Sequence, residues 1–217
     1  MKKLTLPIAL IACFVVYTAL VLFVDVQPVG PEHSAVGFAT INAAVHGAIG
    51  VHMLWDVITD GFAALSVLVA LAFAAMGLMQ LVQRKSLVQV DRQILLLGGV
   101  YVVTILLYAL FEKLVINYRP VILDEGLEPS YPSSHTLVVL CILGTARIAL
   151  RSYIKKPALL CALRAVLAVI MLAAVVGRLL SGVHWLTDIV GGALLSCVVI
   201  SLYAALYGSC VDGSSRS

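Results

Sequence analysis

The sequence predicts an all-α membrane protein, a bundle of six transmembrane helices with one further amphipathic helix along its outer surface. Composition, the spacing of long apolar runs and the placement of charge predict this fold. Of the 217 residues, 62% are hydrophobic and 12% are charged, and the mean hydropathy is +1.10. Charged residues usually make up about a quarter of a soluble chain. The composition therefore excludes an ordinary soluble domain.

Six apolar runs are long enough to cross a bilayer, which takes roughly 20 residues per helix. They cover residues 5–25, 58–82, 93–115, 135–151, 159–180 and 185–207. These runs leave no room for a second soluble domain, so residues 1–217 are expected to form a single membrane domain. The first run imitates a secretory signal, but it is longer than a typical signal core and no small-x-small cleavage site follows it. We expect it to be a retained span.

The connectors between spans two and three and between spans four and five are both basic. By the positive-inside rule they lie in the cytoplasm together with both termini. Only three of the 14 lysines and arginines then fall at outer helix ends: Lys113, Arg119 and Arg178. Most acidic residues fall on the outer side: Asp25, Glu32, Asp56, Asp60, Glu112, Asp124, Glu125, Glu128 and Asp188. We expect an integral protein of a bacterial plasma membrane.

Residues 33–55 are too polar to span a membrane. Ile41, Val45, Ile49 and Met53 recur at every fourth position, as on one face of a helix. This spacing predicts the amphipathic helix along the outer membrane surface.

Three polar clusters surround the three outer cations: EKLVINYRP (112–120), YPSSHT (131–136) and GRLLSGVHWLTD (177–188). A charge near a bilayer is costly, so such residues are functional candidates. The topology places the ends of four helices in one leaflet, where three cations, two histidines and a carboxylate converge. Fixed cations, and the planar fork of arginine in particular, suit a phosphate group.

Two local patterns sharpen this expectation. Ser133 and Ser134 stand just before an apolar helix, where a serine caps the helix and free backbone N–H groups form an anion site. His184 and Asp188 are four residues apart, so they share a face if that turn is helical. A carboxylate on one imidazole nitrogen fixes the tautomer and leaves the other nitrogen free to attack.

The three clusters resemble the signature of the type 2 phosphatidic acid phosphatase superfamily. That signature has a lysine, six residues and Arg-Pro, then Pro-Ser-Gly-His, then Ser-Arg, five residues, His, three residues and Asp. Here Arg119-Pro120 is preserved, Ser134 replaces the glycine, and Gly177 replaces the leading serine. Lys113 stands one residue too close to Arg119, and Glu112 occupies the lysine position.

The resemblance implies a membrane lipid phosphatase with a defined set of roles. His184 would form a phosphohistidine, Asp188 would orient it, and His135 would protonate the leaving oxygen and then activate water. Arg119, Arg178, Ser133 and Ser134, with Lys113 less well placed, would hold the phosphoryl oxygens. The resemblance implies no metal and no cofactor, and the expected partners are a lipid phosphate and membrane lipids, not nucleic acid.

Other functions stay open from the sequence alone. The chain could pass the phosphoryl group to another lipid or to a sugar, or it could be a transporter or scaffold without turnover. His46 and His52 are six residues apart and lie on different helix faces, so we interpret them as interfacial histidines and not as a metal site. Glu112 is expected to be a counter-ion to Arg178 or Lys113. The substrate lipid and the oligomeric state are not encoded in any pattern that we identify.

Overall fold

The computed structural model describes residues 4–123 and 126–214, with the backbone alone beyond Gly208. The described chain contains seven α helices: α1 Thr5–Phe23, α2 Ala39–Ile49, α3 Met53–Arg84, α4 Arg92–Lys113, α5 Ser134–Tyr153, α6 Pro157–Ser181 and α7 Leu186–Ser214. Short 3-10 turns lie at Pro31–His33 and Leu87–Gln89, and no strand forms in the described residues. All helices except α2 are long and apolar enough to cross a membrane, which confirms the predicted fold class.

The helices are arranged inside out relative to a soluble protein. In α5 and α7, 61% and 50% of the most apolar stretch is buried, against 17% or less in each of the other four long helices. Those outer helices expose large apolar side chains, including Leu68, Leu106 and Leu172, each more than 60% exposed. An apolar exterior of this extent requires lipid as its solvent. The protein is therefore an integral membrane protein with α5 and α7 at its centre.

The segment before α5 packs closely on α7 because α7 carries two glycines at the point of contact. A Cβ at Gly191 would lie 2.5 Å from the Tyr131 ring, and one at Gly192 would lie 2.8 Å from the Ser133 carbonyl oxygen. Both distances are shorter than van der Waals contact, so a side chain at either position would push α7 away. The pair therefore fixes the segment before α5 against the first turns of α7.

One end of the bundle is fastened by Asp91, in the connector before α4. Its carboxylate accepts hydrogen bonds from Arg84 Nη1 at 2.9 Å and Gln80 Nε2 at 2.8 Å, and Tyr153 Oη donates to it at 3.4 Å. This end carries both basic connectors. The three polar clusters lie at the opposite end, where α4 and α6 end and α3, α5 and α7 begin.

The predicted outer helix exists, but its predicted extent of 33–55 was wrong. It covers only Ala39–Ile49, and Met53 already belongs to α3, which begins five residues before the predicted span. Ile41 is 49% exposed, as an apolar lipid-facing residue would be. The buried face is polar instead: Asn42 donates to Gly37 O and to Thr187 Oγ1, and it accepts from Thr187 N. These bonds join α2 to the start of α7.

Candidate active site

A cavity of about 250 Å³ opens at the end of the bundle that carries the polar clusters. Its polar lining comes from α4, the 114–133 segment, the start of α5 and the turn before α7. The residues that give it its chemistry are Glu112, Arg119, Glu128, Ser134, His135 and His184. The fold thus brings both predicted histidines and one predicted arginine to a single cavity.

His184 lies in the turn between α6 and α7 and is almost completely buried. Neither ring nitrogen makes a hydrogen bond of good geometry with a described residue, although the Ser130 backbone lies near the ring and both nitrogens are shielded from solvent. Burial lowers the pKa of His184 well below its ordinary value, and the charges of Arg178 and Arg119 lower it further. The ring is therefore neutral at physiological pH and carries an unused lone pair.

Asp188 lies in the first turn of α7, with its Oδ2 3.7 Å from His184 Nδ1. This separation is longer than a hydrogen bond. The carboxylate is held in place by other donors: Asn117 Nδ2 at 3.1 Å on Oδ1, and Trp185 N at 3.0 Å on Oδ2. The predicted spacing therefore places the two side chains next to each other, and Asp188 also closes the turn that carries His184.

The segment before α5 is anchored on this same turn. Ser133 N donates to Asp188 O at 2.9 Å, and Trp185 Nε1 donates to Tyr118 O at 2.7 Å. Ser133 caps α5, since its hydroxyl oxygen accepts from Thr136 N at 3.4 Å. The first N–H groups of such a helix have no partner within the helix and can face an anion.

Each of the two arginines is already paired with a carboxylate. Arg119 Nε lies 2.7 Å from Glu128 Oε2, and their backbones are joined by an Arg119 N to Glu128 O bond of 3.0 Å. Arg178 is 1% exposed and donates from Nη1 to Asp56 Oδ1 at 2.5 Å and to Thr59 Oγ1 at 3.1 Å. The expected pairing of Arg178 with Glu112 was wrong, because α3 supplies the counter-ion.

His135 is the second residue of α5 and faces a carboxylate on α3. Its Nε2 lies 2.8 Å from Asp60 Oδ1, and the same oxygen is 3.8 Å from Arg178 Nη1. His135 Nδ1 is buried and has no hydrogen-bond partner. Asp60 therefore connects one predicted histidine to one predicted arginine.

The remaining predicted residues occupy different places. Ser134 lines the cavity, whereas Ser133 is fully buried in its capping role behind it. Lys113 is the last residue of α4, is exposed and does not line the cavity. Glu112 does line it, and no ion pair joins Glu112 to another described residue within 4 Å. Gly177 stands where a Cβ would meet Thr59 Cγ2 at 2.7 Å, so close packing on α3 accounts for the missing serine.

Sequence reasoning missed four residues that hold this site: Asp56, Asp60, Asn117 and Glu128. Asp56 and Asp60 are four apart in a span that is otherwise apolar, and ionisable residues in such a span are functional candidates. That signal could have found them. Asn117 and Glu128 lie in an irregular segment, where no periodicity indicates which side chains turn inward.

Residues 63–211 match the PAP2 superfamily. The chain belongs to that superfamily. The match includes the cavity residues from Glu112 to His184 and the whole of α5 and α6. No curated protein matches the chain.

One solved structure shares the fold of this PAP2 chain. It is described as the crystal structure of the first transmembrane PAP2 type phosphatidylglycerolphosphate phosphatase from Bacillus subtilis. The TM-score is 0.69 with 18% sequence identity, and the match covers 94% of this chain and 96% of that one. At this identity the likeness establishes the arrangement of the helices.

Proposed function

We propose that this chain is a lipid-phosphate phosphatase that hydrolyses a lipid monophosphate or diphosphate through a phosphohistidine intermediate. The observation that carries the proposal is the state of His184. The ring is neutral and buried in the cavity wall without a well-formed hydrogen bond at either nitrogen, and arginine charges are close by. A neutral imidazole beside fixed cations is suited to attack a phosphoryl group.

In the first step, a lone pair on His184 Nε2 attacks phosphorus, since Nδ1 faces Asp188. The bond between phosphorus and the lipid oxygen breaks, and that oxygen receives a proton from His135. Arg119 is placed in the cavity to take up the charge on the phosphoryl oxygens, with the N-terminus of α5 beside it. Asp188 faces the imidazolium charge that forms on His184.

In the second step, water attacks the phosphohistidine. His135 accepts a proton from that water, the P–N bond breaks, and His184 returns to its neutral state. The product is inorganic phosphate. His135 is suited to both transfers because it lies at the cavity and its side chain keeps 27% of its surface exposed.

The lipid nature of the substrate is supported by the surroundings of the cavity. A second cavity of about 220 Å³ shares Tyr108, Ser134 and His135 with the first and adds Ala63 and Val138 from α3 and α5. It offers an apolar path from His135 to the bilayer between those helices. A lipid whose phosphate enters the first cavity can thus leave its chain in the second. The fold neighbour's description as a phosphatidylglycerolphosphate phosphatase is consistent with such a substrate.

The test is phosphate release by the purified protein in detergent, with phosphatidate, phosphatidylglycerophosphate and undecaprenyl diphosphate as substrates and EDTA present. We expect release from at least one of them, no loss on chelation, and inhibition by vanadate, which imitates a pentacoordinate phosphoryl group. Chelator-sensitive activity that a divalent ion restores would overturn the metal-independent reaction. Transfer to an added alcohol without free phosphate would instead favour a phosphotransferase.

We further propose that the cavity faces the outside of the cell, on the basis of the basic connectors at the opposite end of the bundle. Asp124, a natural probe position, lies outside the described residues, so the exposed Ile122 is used instead. Ile122→Cys is expected to react with an impermeant thiol reagent in intact cells. Val88→Cys, 93% exposed in the opposite connector, is the matched control and is expected to react only after lysis. The reverse labelling pattern would place the cavity in the cytoplasm.

A further inference from the structure

The first turns of α3 bring two carboxylates, which the three polar clusters do not contain, next to His135 and Arg178. Asp56 and Asp60 lie one helical turn apart on the same face of α3. Each carboxylate contacts a different residue: Asp56 pairs with Arg178, and Asp60 contacts His135. Asp56 is mostly buried, whereas the Asp60 side chain keeps 55% of its surface exposed. The two carboxylates therefore differ in both partner and surroundings.

We propose that Asp60 is a positioning residue for the proton-transfer step, acting through His135; this inference rests on the proposed function. Asp60 contacts His135 Nε2 and thereby selects Nδ1 as the nitrogen that meets the leaving oxygen. The pair is a second histidine–carboxylate dyad, separate from His184 and Asp188.

The ring geometry supports this division of roles. Asp60 Oδ1 lies 2.8 Å from Nε2, a distance at which a carboxylate fixes the proton on that nitrogen. Nδ1 is shielded from solvent and has no partner. A buried polar atom without a partner is costly, so its presence in a cavity wall indicates that a ligand completes it. The leaving oxygen of the substrate is the group that the proposed reaction brings there.

The charge on Asp60 matters as well as its geometry. At the moment of donation His135 must carry protons on both nitrogens, and it becomes an imidazolium near Arg178 and Arg119. The Asp60 carboxylate, in contact with Nε2, offsets the repulsion from these guanidinium groups. Asp56 also acts on the ring, but from beyond ion-pair distance and while paired with Arg178. Because Asp60 is partly exposed, the dyad also remains in contact with water, from which His135 can recover its proton.

The proposal predicts a dependence on the leaving group that a merely structural residue would not show. An alkoxide leaves only when it receives a proton, whereas p-nitrophenolate is a weak base and leaves without one. Loss of the Asp60 charge should therefore slow hydrolysis of a lipid phosphate much more than hydrolysis of p-nitrophenyl phosphate. Loss of a group that only holds the fold or the phosphate should slow both alike.

The experiment compares purified wild type, Asp60→Asn and Asp56→Asn on dioctanoyl phosphatidate and p-nitrophenyl phosphate. Asparagine keeps the shape of each side chain and removes its charge, and gel filtration verifies that the variants remain folded. For Asp60→Asn we expect the ratio of kcat on the lipid to kcat on the aryl phosphate to fall by roughly tenfold or more, a part of the ~100-fold or larger contribution typical of general acid catalysis. Asp56→Asn, the matched control, should leave that ratio within about twofold of the wild-type value, because its partner is an arginine and transfers no proton. Asp60→Glu should recover part of the lost ratio.

Each outcome is decisive. An unchanged ratio for Asp60→Asn, with equal loss on both substrates or no loss on either, would overturn the role of Asp60 while leaving the phosphatase intact. An equal fall in the ratio for both variants would also overturn it, because the effect would then not be specific to the histidine partner. If the wild type is inactive on phosphatidate, the lipid of the panel that it does hydrolyse takes its place; a wild-type protein that hydrolyses none of the lipid phosphates would overturn the proposed function itself, and the role of Asp60 with it.

Discussion

His184 and His135 face the same cavity, and each lies beside a carboxylate, but the two pairs are built differently. His184 Nδ1 is 3.7 Å from Asp188, and both side chains are at most 1% exposed. His135 Nε2 is 2.8 Å from Asp60, with 27% and 55% of the two side chains exposed. The first pair is shielded from water and separated by more than a hydrogen bond, whereas the second is partly exposed to water and in close contact.

The difference matches the two tasks that the reaction requires. A nucleophile needs an unprotonated nitrogen, and burial keeps the pKa of His184 low enough to provide one. A residue that gives and takes protons needs access to water and a partner that stabilises its charged form. The buried pair therefore suits the covalent step, and the partly exposed pair suits proton transfer.

Replacement of the buried histidine, His184, should have the largest effect. His184→Ala should reduce turnover to background, below about 1% of wild type, on lipid and aryl phosphates alike. Loss of a covalent step costs several kcal/mol, and about 1.36 kcal/mol is tenfold in rate. The measurement is steady-state phosphate release, with expression and gel filtration as the folding control. Residual activity well above that level would remove His184 from the role of nucleophile.

The two arginines should come next, and they test whether both pairs share one phosphate site. Loss of either guanidinium should cost roughly 2–4 kcal/mol in catalytic efficiency, by analogy with removal of one preorganised oxyanion donor. Arg119→Ala should do this without loss of folded protein, because Arg119 lies in the cavity wall. Arg178→Ala should also reduce the yield of folded protein, because it leaves Asp56 without its guanidinium partner. Full activity in either variant would exclude that arginine from phosphate binding.

Lys113 should contribute less than either arginine. Its side chain is exposed at the end of α4 and does not line the cavity, so it can act on the phosphate only across solvent. We expect Lys113→Ala to reduce catalytic efficiency by on the order of 1 kcal/mol, the size of a screened interaction near water. If Lys113→Ala is as damaging as Arg119→Ala, the lysine must reach the phosphate directly.

Glu112 should have the smallest effect, with the opposite sign. Its carboxylate lines the cavity, where it repels the phosphate of an approaching substrate. Glu112→Gln removes that charge at nearly constant volume and should lower KM by about twofold to fivefold, a change within ~1 kcal/mol. Lys113→Gln on the same helix is the matched control and should not lower KM. A rise in KM for Glu112→Gln would show that the carboxylate binds the substrate.

Much of the fold follows from hydropathy, because a bilayer imposes a length and a polarity on every span. The six spans and their order were predicted within a few residues except at the start of α3, where Met53–Trp55 were assigned to the outer helix. That misassignment has a physical reason: Asp56 lowers the hydropathy there, although its carboxylate is paired with Arg178 inside the bundle.

The positions of the candidate site residues were predictable to the extent that they lie in linear motifs. His184 and Asp188 are adjacent because a turn joins them, and Ser133 caps α5 because serine stands at the helix start. Long-range pairs were not predictable. The contacts of Asp188 with Asn117 and of Arg178 with Asp56 depend on how helices and an irregular segment pack, which one sequence does not specify. The expected pairing of Glu112 with Arg178 or Lys113 was wrong for the same reason.

The most direct test of the account is to trap the covalent intermediate. Purified protein would be mixed with a phosphate-labelled lipid substrate and denatured in alkali after a few milliseconds, since phosphohistidine is stable to base and labile to acid. The account predicts label on the peptide that contains His184, lost on brief acid treatment and absent from His184→Ala. Label on a different residue, or steady turnover with no labelled protein at any time, would contradict it.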